Sequence, residues 1–350
     1  MRRRVAAGVG FAALLFLLVQ LGALALVPTF YESGYQTVED PSDPTNSLIY
    51  IGAIIVATAA MLAAFKFDLD WIVRGFVVLA AASIAWYVFS VLLPPLAAIG
   101  ASVALAALLV VHPEWYVIDA AGVLMGAGAA GLFGISFGLL PAIVLLSVLA
   151  VYDAISVYGT EHMLDLASGV MDLKLPVVLV VPTTLSYSLR DTNAAETVAG
   201  ASGDDADVAS DDGDVAGDGD AAGDGDAAGD GDVADDVDGG TAHDGADEDV
   251  RDAFFIGLGD AVMPTVMIAS AAFFLPASLT PSLGVPWLPA LTLPALTAMI
   301  GTFAGLFVLL WMVLKGRAHA GLPLLNGGAI GGYLVGALAS GVPIITALGL

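Results

Sequence analysis

The chain has 350 residues, 58% of them hydrophobic and 13% charged, with a mean hydropathy of +0.90. Soluble domains average about 25% charged residues, so the composition argues against a soluble globular enzyme and for a polytopic membrane protein. No cysteine is present, which removes disulfides, iron–sulfur clusters and thiolate metal sites.

The net charge of −25 comes largely from one region. Residues 191–252 hold 22 of the 35 Asp and Glu against one basic residue, Arg251, for a local charge of −21. The rest of the chain, with 9 basic and 13 acidic residues, carries only −4.

Taken in chain order, apolar runs long enough to cross a bilayer predict nine helices. They lie at 5–27, 47–65, 71–93, 95–111, 115–134, 137–159, 253–276, 288–314 and 321–345. The first follows Arg2, Arg3 and Arg4 as a signal peptide would, but its apolar run has the length of a full span, so it is read as an anchored helix. The stretch from Glu161 to Pro182 is too polar in its first half to span and reads as an interfacial amphipathic helix or an extension of the sixth helix. Three regions result: 1–176 with helices one to six and the interfacial segment, 177–252 as an acidic, largely disordered cytoplasmic loop, and 253–350 with helices seven to nine.

Within the loop a six-residue unit, Gly-Asp-Gly-Asp-Ala-Ala, repeats from Gly217 to Asp232. No aromatic residue occurs in the acidic stretch before Phe254, so it has nothing from which to build a core. Alternating carboxylates suit calcium, but the terminal Glu of an EF-hand and the apolar residue of a calcium-binding β-roll are both missing, and a solvated linker is the better reading. The preference for Asp over Lys resembles proteins of salt-loving archaea.

Placing the N-terminus in the cytoplasm puts every basic residue on that side: Arg2 to Arg4, Lys66, Arg74, Lys174, Arg190, Arg251, Lys315 and Arg317. The first outer loop then carries Glu32, Glu39, Asp40 and Asp43, and nine spans leave the C-terminus outside the cell membrane.

An ionisable residue inside a span is costly unless paired or hydrated, so it marks a functional site by default. Asp119 sits near the start of helix five beside His112 and Glu114, where the helix dipole favours a carboxylate. Asp153 lies six residues before the end of helix six, about 9 Å deep, and Asp260 seven residues into helix seven, about 10 Å deep. Because these helices run antiparallel, the two carboxylates reach one depth and can face each other. Like charges a few ångströms apart cannot both ionise cheaply, so such a pair shares one proton. Its ionised member takes a proton from water and its neutral member donates to a carbonyl oxygen, which hydrolyses a peptide bond without a covalent intermediate. In Gly257-Leu258-Gly259-Asp260, two missing side chains let another backbone approach the carboxylate.

Tyr152-Asp153 at the end of helix six followed by Gly257-Leu258-Gly259-Asp260 in helix seven resembles the presenilin and signal peptide peptidase family. Those are intramembrane aspartyl proteases with nine helices, a cytoplasmic N-terminus and a long loop between helices six and seven. A lone GxGD also marks prepilin peptidases, which carry their first aspartate early in the chain, whereas here both lie on adjacent central helices. The resemblance implies an all-α, presenilin-like bundle with Asp153 and Asp260 as the catalytic pair. Tyr152, Gly257, Leu258 and Gly259 are then expected to shape the site and bind substrate. The family's Pro-Ala-Leu tripeptide at the start of helix nine has its positional counterpart in Pro323-Leu324-Leu325, where Leu324 replaces Ala, and these three are expected to bind substrate. Literal copies at Pro289-Ala290-Leu291 and Pro294-Ala295-Leu296 lie near the outer face and are read as chance.

Family substrates are single membrane helices or signal peptides, which must unwind to be cut. An extended substrate could add to a strand edge formed after helix six or before helix seven, with the β-branched Val177–Val181 one such edge. No cofactor and no metal are expected, since His112, His162, His243 and His319 show no ligand spacing. The expected partners are substrate helices and the lipid bilayer, without nucleic acid; homo-oligomerisation stays open.

Other features read as structural. Gly134-Ile135-Ser136-Phe137-Gly138 matches a nucleophile elbow but lies between two spans with no histidine near it. Gly122, Gly126, Gly327 and Gly331 recur at four-residue spacing and suggest close helix packing. A transporter or channel that uses the aspartates for proton or cation coupling is the alternative function, but it predicts internal repeats that the sequence does not display.

Overall fold

The computed structural model describes residues 2–67, 69–159, 177–182, 253–315 and 320–350. Along the chain run α1 (Arg2–Glu32), α2 (Thr45–Lys66), α3 (Asp70–Leu92), α4 (Pro95–Val111), α5 (Trp115–Ser136) and α6 (Leu139–Gly159). Two strands follow, β1 (Val178–Pro182) and β2 (Ala253–Gly257), and then α7 (Leu258–Phe274), α8 (Leu293–Val313), α9 (Leu322–Ala339) and the single turn α10 (Ile344–Ala347). Seven of these helices are long and apolar enough to cross a membrane, while α4 and α7 are shorter apolar helices of 17 residues each. The acidic repeat, the stretch 160–176, the basic residues Lys174, Arg190, Arg251 and Arg317, and His162, His243 and His319 lie outside the described residues.

The all-helical expectation is corrected at one place. The apolar run from Ala253 was read as the start of helix seven, but its first five residues form β2, and α7 begins at Leu258. Hydropathy alone cannot tell a short buried strand from a helix turn. Phe254, Phe255 and Ile256 favour the extended form, and Val178–Val181 supplies a partner. The strands pair antiparallel from Val178 opposite Gly257 to Pro182 opposite Ala253.

α5 and α7 occupy the middle of the bundle. Two-thirds of α5's apolar window is buried within the protein, against none of α2's, so α2 lies at the periphery. Small residues make the central position attainable. A methyl at Gly134 would collide with Ala269 of α7, and one at Gly126 would stand 3.2 Å from Val19 of α1 and 3.3 Å from Leu258.

The glycine expectation for the ninth helix is off by one residue. Gly327 and Gly331 face open space, and the contact is made by Gly328, Gly332 and Gly336, which meet Gly301, Thr297 and Pro294 of α8. Gly305 of α8 meets the backbone of Leu324 in the same seam. α9 stops six residues early, at Ala339 rather than 345. Gly341 there adopts φ +80°, Val342 donates to the Ala337 carbonyl and Gly341 to that of Leu338, a Schellman-type ending. The chain then turns back, and the buried Tyr333 hydroxyl donates to the Ala347 carbonyl at 2.6 Å.

Ser136, from the apparent nucleophile elbow, is buried and accepts hydrogen bonds from the Thr37 backbone and hydroxyl at 3.1 and 3.0 Å. It fastens the loop after α1 to the end of α5.

Candidate active site

Asp153 and Asp260 come together at the start of α9. Asp153 is buried on α6, six residues before that helix ends, as the sequence predicts. Its Oδ2 accepts the backbone N–H of Leu322 at 3.0 Å. The first N–H groups of a helix have no intrahelical partner, and the helix dipole adds positive potential there. Pro323, next in line, has no N–H to offer, so the contact falls to the backbone donors ahead of it, Leu322 and Gly321.

Asp260 reaches the same place from the other side, but not from seven residues inside its helix. Because β2 replaces the first turns, Asp260 is the third residue of α7. A β-carbon added at Gly321 would stand 3.3 and 3.4 Å from the two Asp260 carboxylate oxygens, and 3.3 Å from Leu309 of α8. The backbone that approaches Asp260 closely is therefore that of Gly321. At Gly259 a β-carbon would meet nothing within 4 Å, and at Gly257 only the Asp260 carboxyl itself, at 3.5 Å. The glycines before Asp260 are exposed and leave open space beside it. Both carboxylates thus lie against one stretch of backbone, Gly321–Leu322. Further along α7, Pro264 returns no N–H to the Asp260 carbonyl.

Secondary ties hold α6 against α9. The buried Asn326 donates through Nδ2 to the Leu146 carbonyl at 3.0 Å, and the Ala320 N–H meets the Tyr158 hydroxyl at 3.4 Å. Of the other predicted site residues, Tyr152 is exposed on the surface of α6 and Leu258 is buried against α1 and α5. Pro323 and Leu324 are half-buried, with the Leu324 backbone on Gly305. Leu325 is fully buried in the core beside Leu306 and Leu309.

The sheet stands directly before Asp260 in the chain. Leu258 donates to the Val177 carbonyl at 2.9 Å, whereas the Val180 N–H points the other way, to Asp119 Oδ1 on α5 at 2.7 Å. In an antiparallel pair each residue directs its N–H and C=O to one side, alternating along the strand. Val177, Leu179 and Val181 therefore face β2, and Val178 and Val180 face α5. On β2, Phe254 and Ile256 face inward, and Phe255 and Gly257 present their backbone groups on the outer edge.

Asp119 was expected near the helix start as a dipole-favoured carboxylate. It is the fifth residue of α5, where the expected start at 115 puts it, but it is 3% exposed and bonded to a strand. The signal for this lay in its neighbours: Val117, Ile118 and Ala121 offer it no donor, so one had to come from elsewhere. Gly321 and Leu322 act through backbone atoms, to which a search for chemical side chains is blind. His112, the histidine among the described residues, hydrogen-bonds the Tyr116 hydroxyl at 2.7 Å.

Comparison with known proteins identifies the family. The family model described as signal-peptide peptidase, presenilin aspartyl protease, matches residues 13–342. Two solved structures of a presenilin family intramembrane aspartate protease are similar over nearly the whole chain. The one in a C222 crystal is 29% identical, covers 95% of this chain and 99% of its own, and superposes with a TM-score of 0.58. The one in a P2 crystal is 30% identical, covers 93% and 96%, and gives 0.55. Among curated proteins no match was found. With two carboxylates meeting at a helix start inside a multi-pass helical bundle, and a family match over almost all of its length, the chain belongs to the signal-peptide peptidase and presenilin family and is an intramembrane aspartyl protease.

Proposed function

We propose that Asp153 and Asp260 are the catalytic pair, on the strength of their convergence at Gly321–Leu322 from two separate helices. One carboxylate takes a proton from a water, whose oxygen attacks the scissile carbonyl carbon. The other, protonated, gives its proton to the carbonyl oxygen. The tetrahedral intermediate then collapses: the departing nitrogen takes a proton from one carboxyl as the C–N bond breaks, and a hydroxyl of the intermediate returns its proton to the other carboxylate as the C=O re-forms, which restores the singly protonated pair.

The substrates are single-span membrane proteins or signal peptides. A membrane helix hides its peptide bonds in its own hydrogen bonds, so the bond to be cut must first become extended. The outer edge of β2 offers an extended segment the backbone groups of Phe255 and Gly257, three residues from Asp260, and the bare Gly257 and Gly259 leave room for it. Tyr152 borders the site, and Pro323, Leu324 and Leu325 set the position of the α9 start.

The chain crosses the cell membrane nine times, with α4 and α7 as its two shortest spans. Its N-terminus and all ten Lys and Arg are cytoplasmic, its C-terminus is outside, and the aspartate-rich stretch 191–252 lies on the cytoplasmic side, while Val178–Pro182, expected within that loop, is instead the strand β1. The acidic composition suits a salt-loving archaeal cell.

The test is cleavage of a labelled single-span substrate by the detergent-purified protein in high salt. Asp153→Asn and Asp260→Asn should each lower the rate by at least roughly a hundredfold while the protein stays folded. Activity kept in either variant would exclude the shared pair.

A further inference from the structure

Asp119 takes no part in the chemistry proposed above, yet it is a carboxyl group 3% exposed in the bundle interior. Its Oδ1 accepts the Val180 N–H at 2.7 Å, and its Oδ2 has no partner. An apolar side chain would fill the same place without burying a polar oxygen. What it could not do is satisfy the outward N–H of β1. That N–H is a free edge group, and without an acceptor it would either be stranded in the core or recruit another strand. Asp119 satisfies that N–H and holds β1 against α5 in one contact. The other end of β1 needs no such acceptor, because Pro182 has no N–H.

The edge that leads to Asp260 is the outer one of β2. The position of that edge depends on β1, whose Leu179, Val180 and Val181 are buried and whose Val177 carbonyl receives the N–H of Leu258 at the first residue of α7. From Asp119 the chain of contacts runs through Val180 to the paired strand and ends at Gly257, three residues from Asp260. We infer that Asp119 is a positioning residue for substrate: it fixes the two-stranded sheet in place before substrate arrives, so that an extended peptide laid on β2 is in register with the carboxylate pair. The inference rests on the proposed strand-addition reading of the site.

Asn keeps an acceptor oxygen where Asp119 Oδ1 stands, and Ala does not. In the full-length protein, Asp119→Ala should raise KM for a single-span substrate on the order of tenfold, with kcat within about twofold, as expected for loss of one hydrogen bond to a carboxylate that acts on binding alone. Asp119→Asn should keep KM within about threefold of the unmodified chain. A short hydroxyl-bearing transition-state mimic of the scissile bond, too small to lie along β2, should bind all three forms equally. This also shows that the pair is intact in each. Hydrogen exchange supplies a readout independent of turnover: the segment 177–182 should exchange faster in Asp119→Ala, with 262–274 unchanged.

If KM is the same in Asp119→Ala as in the unmodified chain, or if kcat falls while KM holds, the inference is wrong and the protease reading stands. Loss of mimic binding in both variants would make Asp119 a general packing residue, which also overturns it. If the unmodified chain fails to cleave, the proposed function falls and this inference falls with it.

Discussion

Gly321 is where backbone and chemistry meet most tightly. Its missing side chain lets the turn before α9 lie against the Asp260 carboxylate while the next residue donates to Asp153. Gly321→Ala would put a methyl 3.3 Å from Asp260 Oδ2 and 3.3 Å from Leu309, so the carboxylate or α9 must shift by a few tenths of an ångström. Small displacements of reacting groups are expensive in rate. The expected result is a fall in kcat of at least roughly tenfold with little change in melting temperature, read by cleavage kinetics beside thermal unfolding. Both aspartates could be found from the sequence, because charge inside an apolar run is conspicuous. Gly321 could be placed near them only as part of the α9 start, since a glycine carries no signal of what it avoids touching.

At the level of elements, the strand before α7 decides how the site is approached. Phe255 directs its N–H to the open edge, and Phe254 and Ile256 direct theirs to β1. Proline is tolerated at an edge position whose N–H faces outward. Phe255→Pro should therefore leave the sheet paired and raise KM roughly tenfold, whereas Phe255→Ala, which keeps the N–H, should raise it less. Equal KM values for the two would remove β2 as the docking edge. The helices were legible because long apolar stretches have only one economical form in a bilayer. The strand was not, because Ala253–Gly257 and the first turns of a helix share the same hydropathy and only the distant Val178–Val181 decides between them. The same limit displaced the glycine face of α9 by one residue. Gly327, Gly328, Gly331 and Gly332 all occur in the sequence at four-residue spacings, and which pair meets α8 depends on how the helix is rotated about its axis.

For the whole molecule, the seam between α8 and α9 is the tightest helix contact described. Gly332→Leu would drive a side chain into the Thr297 carbonyl and the backbone of Ala298, and should destabilise the protein by about 3 kcal/mol or more. Gly327→Ala, one face away in open space, should be neutral or stabilising by up to about 1 kcal/mol through helix propensity. Thermal unfolding in detergent, followed by loss of helical signal, separates these two outcomes. An equal loss in both would mean that α9 is rotated from the orientation described.

Backbone contact along that seam makes α8 and α9 a single stiff lever. Its tip, Gly321–Leu322, touches both carboxylates at once. The two carboxylates therefore share one point of reference: a change in where that tip sits is felt by both, and neither can be displaced from it alone.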